Sequence, residues 1–293
     1  MPATTNKSRR KRIGDALAAV GSFMIRLLCV PKCVLCGDPL ADDGEICPEC
    51  AKIWKTARLR RCPVCARTAR ACSCRPMNMD RSLDTLTEDN RSVSSLVFYP
   101  KRDPDAEQQF PELAVRRVIG CLKRSPDRSA EIMAARELAE CVLRLLIDAG
   151  EKPEEWCITY PPRRASERRK YGFDQAKGLA RRISRYSGLK FENCFLRHGG
   201  EMQKTLNSME RRENAEHIYT LKGGCVPKGK KYIIADDVIT TGATVSALAG
   251  LLKEAGALKV YPVSVARTKT KKRRVRRAEP SRRPWFIYRE SDK

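Results

Sequence analysis

The sequence predicts an α/β domain built on a parallel sheet, preceded by a small cysteine-rich module. A strand, a helix and a second strand follow one another across residues 231–266, an order that implies a right-handed crossover between parallel strands. Eight of the fourteen cysteines fall in tight pairs between Cys33 and Cys74. Helical and strand patterns alternate only after this module. We therefore divide the chain into a basic, then apolar lead-in at 1–30, the module at 31–76, the α/β domain at 77–265 and a basic tail at 266–293.

Individual elements follow from the spacing of the apolar residues. The run at 231–235 (KYIIA) is apolar enough to be buried on both faces, as expected for a central parallel strand. Gly188 and Gly256 follow two helical patterns and mark their ends. The sequence predicts strands at 94–99, 156–160, 231–235 and 259–266, and helices at 113–123, 129–149, 175–187 and 245–255.

The charge of the chain is far from balanced. Its 293 residues include 59 Lys and Arg against 35 Asp and Glu, which gives a formal net charge of +24. A charge of this size repels itself in the folded state and is usually retained because a polyanion offsets it. The basic runs at 7–12 and 267–277 predict solvated arms, which would give salt-sensitive, sequence-blind affinity for single-stranded DNA. The alternative is a basic surface that only keeps the protein soluble.

The apolar stretch at 13–30 follows the first basic run, as in a signal peptide. Asp15 and Arg26 interrupt it, and no small-residue cleavage pattern comes after it. It is also too short and too charged to span a bilayer comfortably. The stretch therefore predicts an amphipathic helix that packs on the module or on a partner, with no stable membrane insertion. A signal or membrane-surface role is the alternative.

The cysteine module contains four pairs of candidate metal ligands. Thiolates two residues apart on a tight turn can face one metal ion, and two such turns complete a tetrahedral four-sulfur site. This spacing indicates metal binding in a reducing compartment rather than disulfides, so the sequence predicts a cytoplasmic protein with one or two structural Zn²⁺ ions. Sequential and crossed pairings both stay open, and an iron–sulfur cluster is a minor alternative. The predicted ligands are Cys33, Cys36, Cys47, Cys50, Cys62, Cys65, Cys72 and Cys74.

The most informative segment runs from Tyr232 to Thr244 (YIIADDVITTGAT). A buried strand leads into two adjacent carboxylates, then into a loop of small hydroxyl residues and glycine, and then into a helix. Threonine hydroxyls, backbone amides turned inward at Gly242 and the positive end of the helix together form a phosphate cradle. Asp236 and Asp237 would repel a bare anion, but they suit a ligand that also carries sugar hydroxyls or Mg²⁺.

This loop resembles the phosphoribosyl pyrophosphate (PRPP) binding loop of type I phosphoribosyltransferases. The cysteine module, Lys123 and several further motifs resemble the ComF family of ComFC-type competence proteins. Those motifs are Pro161-Pro162-Arg163-Arg164, Tyr171-Gly172-Phe173-Asp174-Gln175, Gln203-x-x-Leu206 and Glu210-Arg211-x-x-Asn214. Two positions depart from the family pattern, which usually reads Arg-Gly-Phe-Asn-Gln where this chain has Tyr171 and Asp174.

The resemblance implies a type I phosphoribosyltransferase-like domain behind a double zinc ribbon, and it implies roles for single residues. Asp236 and Asp237 would serve the catalytic centre by holding ribose hydroxyls of Mg²⁺-bound PRPP. Arg163 and Arg164 would meet pyrophosphate, because guanidinium forks suit its oxygens, and Lys204 would belong to a mobile hood. The 5′-phosphate would lie on the loop that comprises Val238, Ile239, Thr240, Thr241, Gly242, Ala243 and Thr244.

Three classes of function stay open at this point. The first is an active phosphoribosyltransferase, linked to DNA uptake or to nucleotide metabolism. The second is a PRPP-sensing or single-stranded DNA-binding protein without turnover, which the basic arms favour. The third is an adaptor that recruits a competence helicase or motor protein through the zinc module.

Overall fold

The computed structural model describes residues 30–77, 79, 93–100, 109–125, 128–198 and 218–269. The predicted amphipathic helix up to residue 29, Lys204 and the basic tail after residue 269 lie outside these residues.

The strands form two sheets. They are β1 (Ser94–Tyr99), β2 (Trp156–Thr159), β3 (Lys190–Phe191), β4 (Phe195–Arg197), β5 (Tyr219–Leu221), β6 (Lys231–Ile239) and β7 (Lys259–Thr268). The main sheet has the order β1-β7-β6-β2-β3, and all of its pairs are parallel. Strands β4 and β5 pair antiparallel beside it. The long pairing of β6 with β7 makes these two strands the centre of the domain.

Six α-helices, besides a short 3₁₀ helix at Pro153–Glu155, complete the described fold. They are α1 (Pro48–Leu59), α2 (Phe110–Arg124), α3 (Ser129–Asp148), α4 (Ala165–Tyr171), α5 (Gln175–Ser187) and α6 (Ala243–Glu254). No helix in the described part of the chain is long and apolar enough to cross a membrane.

The predicted fold class is confirmed, and all eight predicted elements are present. Their ends differ most at the central strand β6 and at the start of α2, which begins at Phe110 rather than at residue 113. Strand β6 continues to Ile239 rather than ending at residue 235, so both acidic residues of the motif belong to the strand. Helix α1, helix α4 and the short strands β3, β4 and β5 were not predicted, because segments of two to seven residues carry little periodicity and α1 lies among the cysteines.

The prediction that Arg267 begins the solvated tail is wrong. Strand β7 extends to Thr268, past the boundary at residue 265, and Arg267 is only 1% exposed. Its guanidinium donates hydrogen bonds to the backbone carbonyls of Cys72, at 3.4 Å, and Cys74. A buried arginine is tolerated here because these carbonyls accept from it.

The two faces of the sheet are covered by different elements. Successive side chains of a strand point to opposite faces, so Ile233 packs with α2, α3 and α5, whereas Tyr232 and Ile234 pack with α6, β4 and β5. Both faces are buried, which accounts for the continuous apolar run at the start of β6.

The cysteine module packs directly on the domain. Trp54 of α1 is 2% exposed and belongs to the same hydrophobic cluster as the sheet residues Leu96 and Val263. Its indole Nε1 donates to Glu137 of α3 at 2.8 Å. The module and the sheet therefore share one hydrophobic core. A substitution that disturbs the fold of the module is expected to disturb the packing of the domain as well.

Glu151 ties the N-terminal ends of the central strands together. Its carboxylate pairs with Lys231 of β6 at 2.7 Å and with Lys259 of β7. Burial acts to raise the pKa of Glu151, but hydrogen bonds from these two lysines outweigh it and lower the pKa to about 2. Because the folded-state pKa is depressed, the stabilisation is complete above the usual glutamate range and is lost as pH falls toward 2.

We expect Glu151→Gln to lower the free energy of unfolding at pH 7 by about 3 kcal/mol, the equivalent of this pKa shift. The difference in the free energy of unfolding between wild type and variant should become smaller as pH falls below about 4.5. Urea unfolding at several pH values measures it. Glu140→Gln, which removes an exposed pair with Arg144, is the matched control and should cost less than about 1 kcal/mol. Equal effects of the two variants at pH 7 would contradict this account of Glu151.

Candidate functional site

The loop between β6 and α6 encloses a small cavity at the carboxyl end of the sheet. Parallel α/β sheets bind ligands at this edge. Helix α6 begins with Gly242 as its N-cap, so no side chain of the cap residue covers the first-turn amides. The cavity is lined by Asp236, Val238, Ile239, Thr240, Thr241, Gly242, Ala243, Thr244 and Val245. The structure thus brings together all the predicted loop residues and one of the two acids.

Gly242 is required by its conformation and by its neighbours. Its φ of 88° lies in the left-handed region that favours glycine. A Cβ at this position would stand 3.0 Å from the Cβ of Met79 and 3.2 Å from the Cβ of Pro76. The chain just after the second cysteine group therefore packs against the turn of the loop.

The two acids of β6 face different surroundings. Asp237 has a side chain that is 8% exposed, with Lys123 Nζ at 3.5 Å and Gln175 Nε2 at 3.5 Å from its Oδ2. Asp236, on the side of the loop cavity, accepts a hydrogen bond from the Asp237 amide at 2.8 Å. Burial of the Asp236 carboxyl and the charge of Asp237 raise the pKa of Asp236 well above its usual value. A cation or hydroxyl donor bound here would relieve this repulsion.

Lys123 and Gln175 join the acid pair from distant parts of the chain. Lys123 is the penultimate residue of α2, and Gln175 is the first residue of α5. Both lie at positions where the sequence resembles the ComF family, but no role was predicted for either. Only the fold places the end of α2 and the start of α5 beside β6.

Arg163 and Arg164 differ in their freedom to meet a ligand. The Arg163 side chain is 9% exposed, pairs with Glu167 at 3.2 Å, donates to the Lys123 carbonyl at 3.1 Å and stacks 4.6 Å from the Tyr171 ring centre. It is held in the loop after β2 by these contacts. Arg164 forms no ion pair with a described residue and is partly exposed. Lys204 lies outside the described residues.

A larger cavity of about 340 Å³ lies beside the loop after β2, and we call it the basic cavity. It is bounded by α4, α5 and the β4–β5 pair. Of its cations, Arg168, Lys177 and Lys222 form no ion pair with any described residue. Arg197 donates to the Tyr219 hydroxyl at 2.8 Å, and burial and the charge of Arg164 lower the pKa of Arg197. The unpaired positive charge suits an anionic group.

The eight cysteines form two separate groups of four. Within each group the ligand atoms lie within 4.8 Å of one another. Zn–S bonds of about 2.3 Å in a tetrahedron place sulfurs about 3.8 Å apart, and the Sγ–Sγ distances of 3.9, 3.8 and 3.6 Å fit that geometry. Either group could therefore hold a structural zinc ion. The pairing is sequential rather than crossed, with Cys33, Cys36, Cys47 and Cys50 in the first tetrad and Cys62, Cys65, Cys72 and Cys74 in the second.

One thiol in each tetrad is poised to ionise. Burial acts to raise the pKa of Cys33, but hydrogen bonds from backbone amides, led by that of Cys36, outweigh it and lower the pKa to about 6. Backbone hydrogen bonds, led by that of Arg67, likewise lower the pKa of Cys65 to about 6 against burial. The thiolate is the form that binds metal. Burial raises the pKa of Cys50 and of Cys72, so these thiols would lose their protons only as a metal ion binds.

The second tetrad is linked through the end of β7 to the loop between β6 and α6 (residues 240–242), which we call the phosphate loop because the sequence predicts a phosphate site there. Arg267 holds two carbonyls of the tetrad, as described above. Its neighbour Thr268 donates from Oγ1 to the carbonyl of Thr240 in the loop at 2.9 Å. Arg267 also lies opposite Ile239 in the pairing of β7 with β6. Pro76 and Met79 also pack beside Gly242, so the second tetrad and the segment that follows it are in direct contact with the loop.

The fold is a parallel α/β domain behind a module whose two cysteine tetrads could each hold a metal ion. Similar solved structures include a hypoxanthine phosphoribosyltransferase from Staphylococcus aureus, with 14% identity over 48% of this chain and 67% of that one, and a TM-score of 0.30. A purine phosphoribosyltransferase from Pyrococcus horikoshii shares 17% identity over 48% of this chain and 85% of its own, with a TM-score of 0.30. A glutamine PRPP amidotransferase from B. subtilis shares 15% identity over 50% of this chain but only 30% of its own, with a TM-score of 0.34.

Among curated proteins, the chain is similar to competence protein ComFC of Streptococcus pneumoniae (strain ATCC BAA-255 / R6). The two are 23% identical over 258 residues, which cover 80% of this chain and 100% of the relative. No family model matches the sequence. The predicted resemblance to the ComF family is confirmed by this similarity, which covers the whole of the relative and 80% of this chain.

Proposed function

We propose that this chain binds Mg²⁺-PRPP at the edge formed by β6, the phosphate loop and the loop after β2, as a phosphoribosyltransferase-like protein of DNA uptake or nucleotide metabolism. One observation carries the proposal. A short threonine-containing loop connects Asp236 and Asp237, at the end of β6, to the start of α6, whose N-cap is a glycine. A phosphate site alone has no use for two carboxylates, whereas a phosphorylated sugar needs both features.

The phosphate loop supplies the site for the 5′-phosphate. With Gly242 as the N-cap, the first turn of α6 lines the cavity together with Thr241, whose hydroxyl oxygen accepts from the Ala243 amide at 3.5 Å. A bound phosphate would replace this weak contact and accept from the first-turn amides and the hydroxyls of Thr241 and Thr244. The helix end adds a partial positive charge. Such a cradle binds a dianion through many short bonds that require no lysine.

The acid pair supplies acceptors for the two ribose hydroxyls. Asp236 borders the phosphate cavity directly, and Asp237 lies next to it on the strand. Their carboxylate oxygens are also of the type that Mg²⁺ prefers, directly or through water. Lys123, at 3.5 Å from Asp237, would fix that carboxylate and face the negative charge of the bound ligand.

Positive groups beside the loop after β2 would receive pyrophosphate. Arg164 is the freer of the two predicted arginines, whereas Arg163 shapes the loop through its contacts with Glu167 and Tyr171. Lys204 would belong to a mobile hood over the bound ligand. In a transferase, a nitrogen nucleophile would attack the anomeric carbon and pyrophosphate would leave with the electron pair of the broken C–O bond. The protein would contribute position and charge stabilisation.

We also propose that the tetrads carry structural zinc in a cytoplasmic protein. Four thiolates leave no open position on the ion, so these sites would hold the module and the loop rather than take part in chemistry. The competing function is a non-catalytic DNA-binding or adaptor role. It also fits the formal charge of +24 and the cations of the basic cavity that pair with no described residue.

Calorimetric titration of the full chain separates these functions. We expect PRPP with Mg²⁺ to bind at least about tenfold more tightly than ribose 5-phosphate or pyrophosphate, because only PRPP engages both halves of the site. Pyrophosphate release with added nucleobases would then distinguish a transferase from a binding protein. If PRPP binds no better than its fragments while single-stranded DNA binds with a steep salt dependence, the DNA-binding function replaces the one proposed.

A further inference from the structure

A third group of metal-ligating side chains lies outside both tetrads. Glu192, Cys194 and Cys225 each offer one ligand atom, and these atoms lie within 4.8 Å of one another. Glu192 follows β3, Cys194 precedes β4 and Cys225 follows β5. The first and last of these residues are 33 positions apart in the sequence. No spacing motif therefore predicts the group.

Backbone hydrogen bonds hold the three residues in place without a metal. The Glu192 amide donates to the Ile158 carbonyl of β2 at 2.9 Å. The Lys222 amide donates to the Cys194 carbonyl at 2.8 Å, and the Cys225 amide donates to the Lys222 carbonyl at 3.1 Å. The turn that carries Cys225 is therefore attached to the backbone of Cys194. A site of this kind is prepared for its ligand and loses little entropy on binding.

The surroundings of the group match those of a bound metal ion. Glu192 accepts hydrogen bonds from Lys230 Nζ and from the Tyr232 hydroxyl, both at 2.7 Å. Partners of this kind orient a ligating carboxylate. With both thiols ionised, two thiolates and one carboxylate carry three negative charges. These outnumber the positive charges of Lys230, at 2.7 Å from Glu192, and Lys190, at 3.9 Å, and so leave a net negative charge for a cation. The Cys194 residue is fully buried, and Cys225 is partly exposed beside a cavity of about 360 Å³.

We propose that Glu192, Cys194 and Cys225 bind a third zinc ion. Two thiolates favour zinc over Mg²⁺ or Ca²⁺, which prefer oxygen ligands. Three protein ligands leave one position of the tetrahedron, and the adjoining cavity lets water or an exchangeable ligand fill it. The site differs in this respect from the two closed tetrads. It also fastens the β4–β5 pair to the edge of the main sheet, beside the basic cavity.

Metal analysis of the full chain, purified under reducing conditions, tests the proposal. We expect three zinc ions per chain in the wild type, and two in Cys225→Ala. Cys121→Ala, which removes a partly buried cysteine outside all three groups, is the matched control and should keep three. With fewer thiolates, the third ion should also be the first that a weak chelator removes.

A crystal measured at the zinc absorption edge gives a second readout that needs no variant. An anomalous peak about 2.3 Å from the Sγ atoms of Cys194 and Cys225 supports the proposal. Two zinc ions in the wild type, with peaks at the tetrads only, overturn it. A disulfide between Cys194 and Cys225 in the freshly purified, reduced protein overturns it as well.

Discussion

Replacing Cys72 with serine is expected to empty the second tetrad and to lower the free energy of unfolding by about 5 kcal/mol or more. Structural zinc contributes roughly 10–16 kcal/mol in isolated zinc-finger peptides, and here the module also rests on the sheet. Cys72 is 1% exposed and packs with Phe98 of β1. Chemical unfolding and metal analysis measure the two effects together, and Cys121→Ser is the control that should leave both unchanged.

The same substitution is expected to weaken ligand binding at the phosphate loop by tenfold or more. Arg267 would lose the fixed carbonyls that it holds, and Thr268 would no longer fix the Thr240 carbonyl. Pro76 would also leave the turn at Gly242. Titration with Mg²⁺-PRPP at a temperature where the variant is still folded measures the loss. A folded variant that has lost its second zinc but binds the ligand like wild type would show that the module does not support the loop.

Replacing Asp236 and Asp237 together with asparagine is expected to lower the affinity for Mg²⁺-PRPP by about 2–4 kcal/mol, the scale of lost charge-assisted hydrogen bonds. Ligand at about a hundredfold over its dissociation constant should stabilise the wild type by about 2.7 kcal/mol, and the double variant should lose that gain. Thermal unfolding with and without ligand measures the difference.

The stability of the unliganded double variant gives an internal control. Because the charge of Asp237 helps to raise the pKa of Asp236, removal of both charges should not destabilise the protein and is expected to stabilise it slightly. Asp148→Asn, on the last residue of α3, serves as the matched control. An undiminished ligand-induced shift in the double variant would remove the acid pair from the binding site.

Local motifs account for most of what the sequence predicts correctly. The residues from Val238 to Thr244 are continuous in the chain, so their meeting around one cavity follows from their order. The cysteine pairs predict their ligands for the same reason. The choice between sequential and crossed tetrads depends on how turns meet in space, and only the structure answers it.

Contacts between distant segments could not be predicted from the sequence. Lys123 and Gln175 reach Asp237 because α2 and α5 cover the same face of the sheet. Arg267 lies in a basic run that resembles a solvated tail, yet strand pairing carries it into the core. Cys194 and Cys225 have no recognisable spacing, so their meeting depends on the β4–β5 pair. In each case the path of the backbone, rather than the type of residue, decides which side chains meet.

The location of the ligand in a crystal grown with Mg²⁺-PRPP tests the central proposal most directly. We expect the 5′-phosphate on the backbone amides at Thr241–Thr244, with ribose hydroxyls within about 3 Å of the carboxylates of Asp236 and Asp237. The pyrophosphate should lie toward Arg164 and the loop after β2. A ligand bound only in the basic cavity, with the phosphate loop empty at saturating concentration, would contradict the proposal.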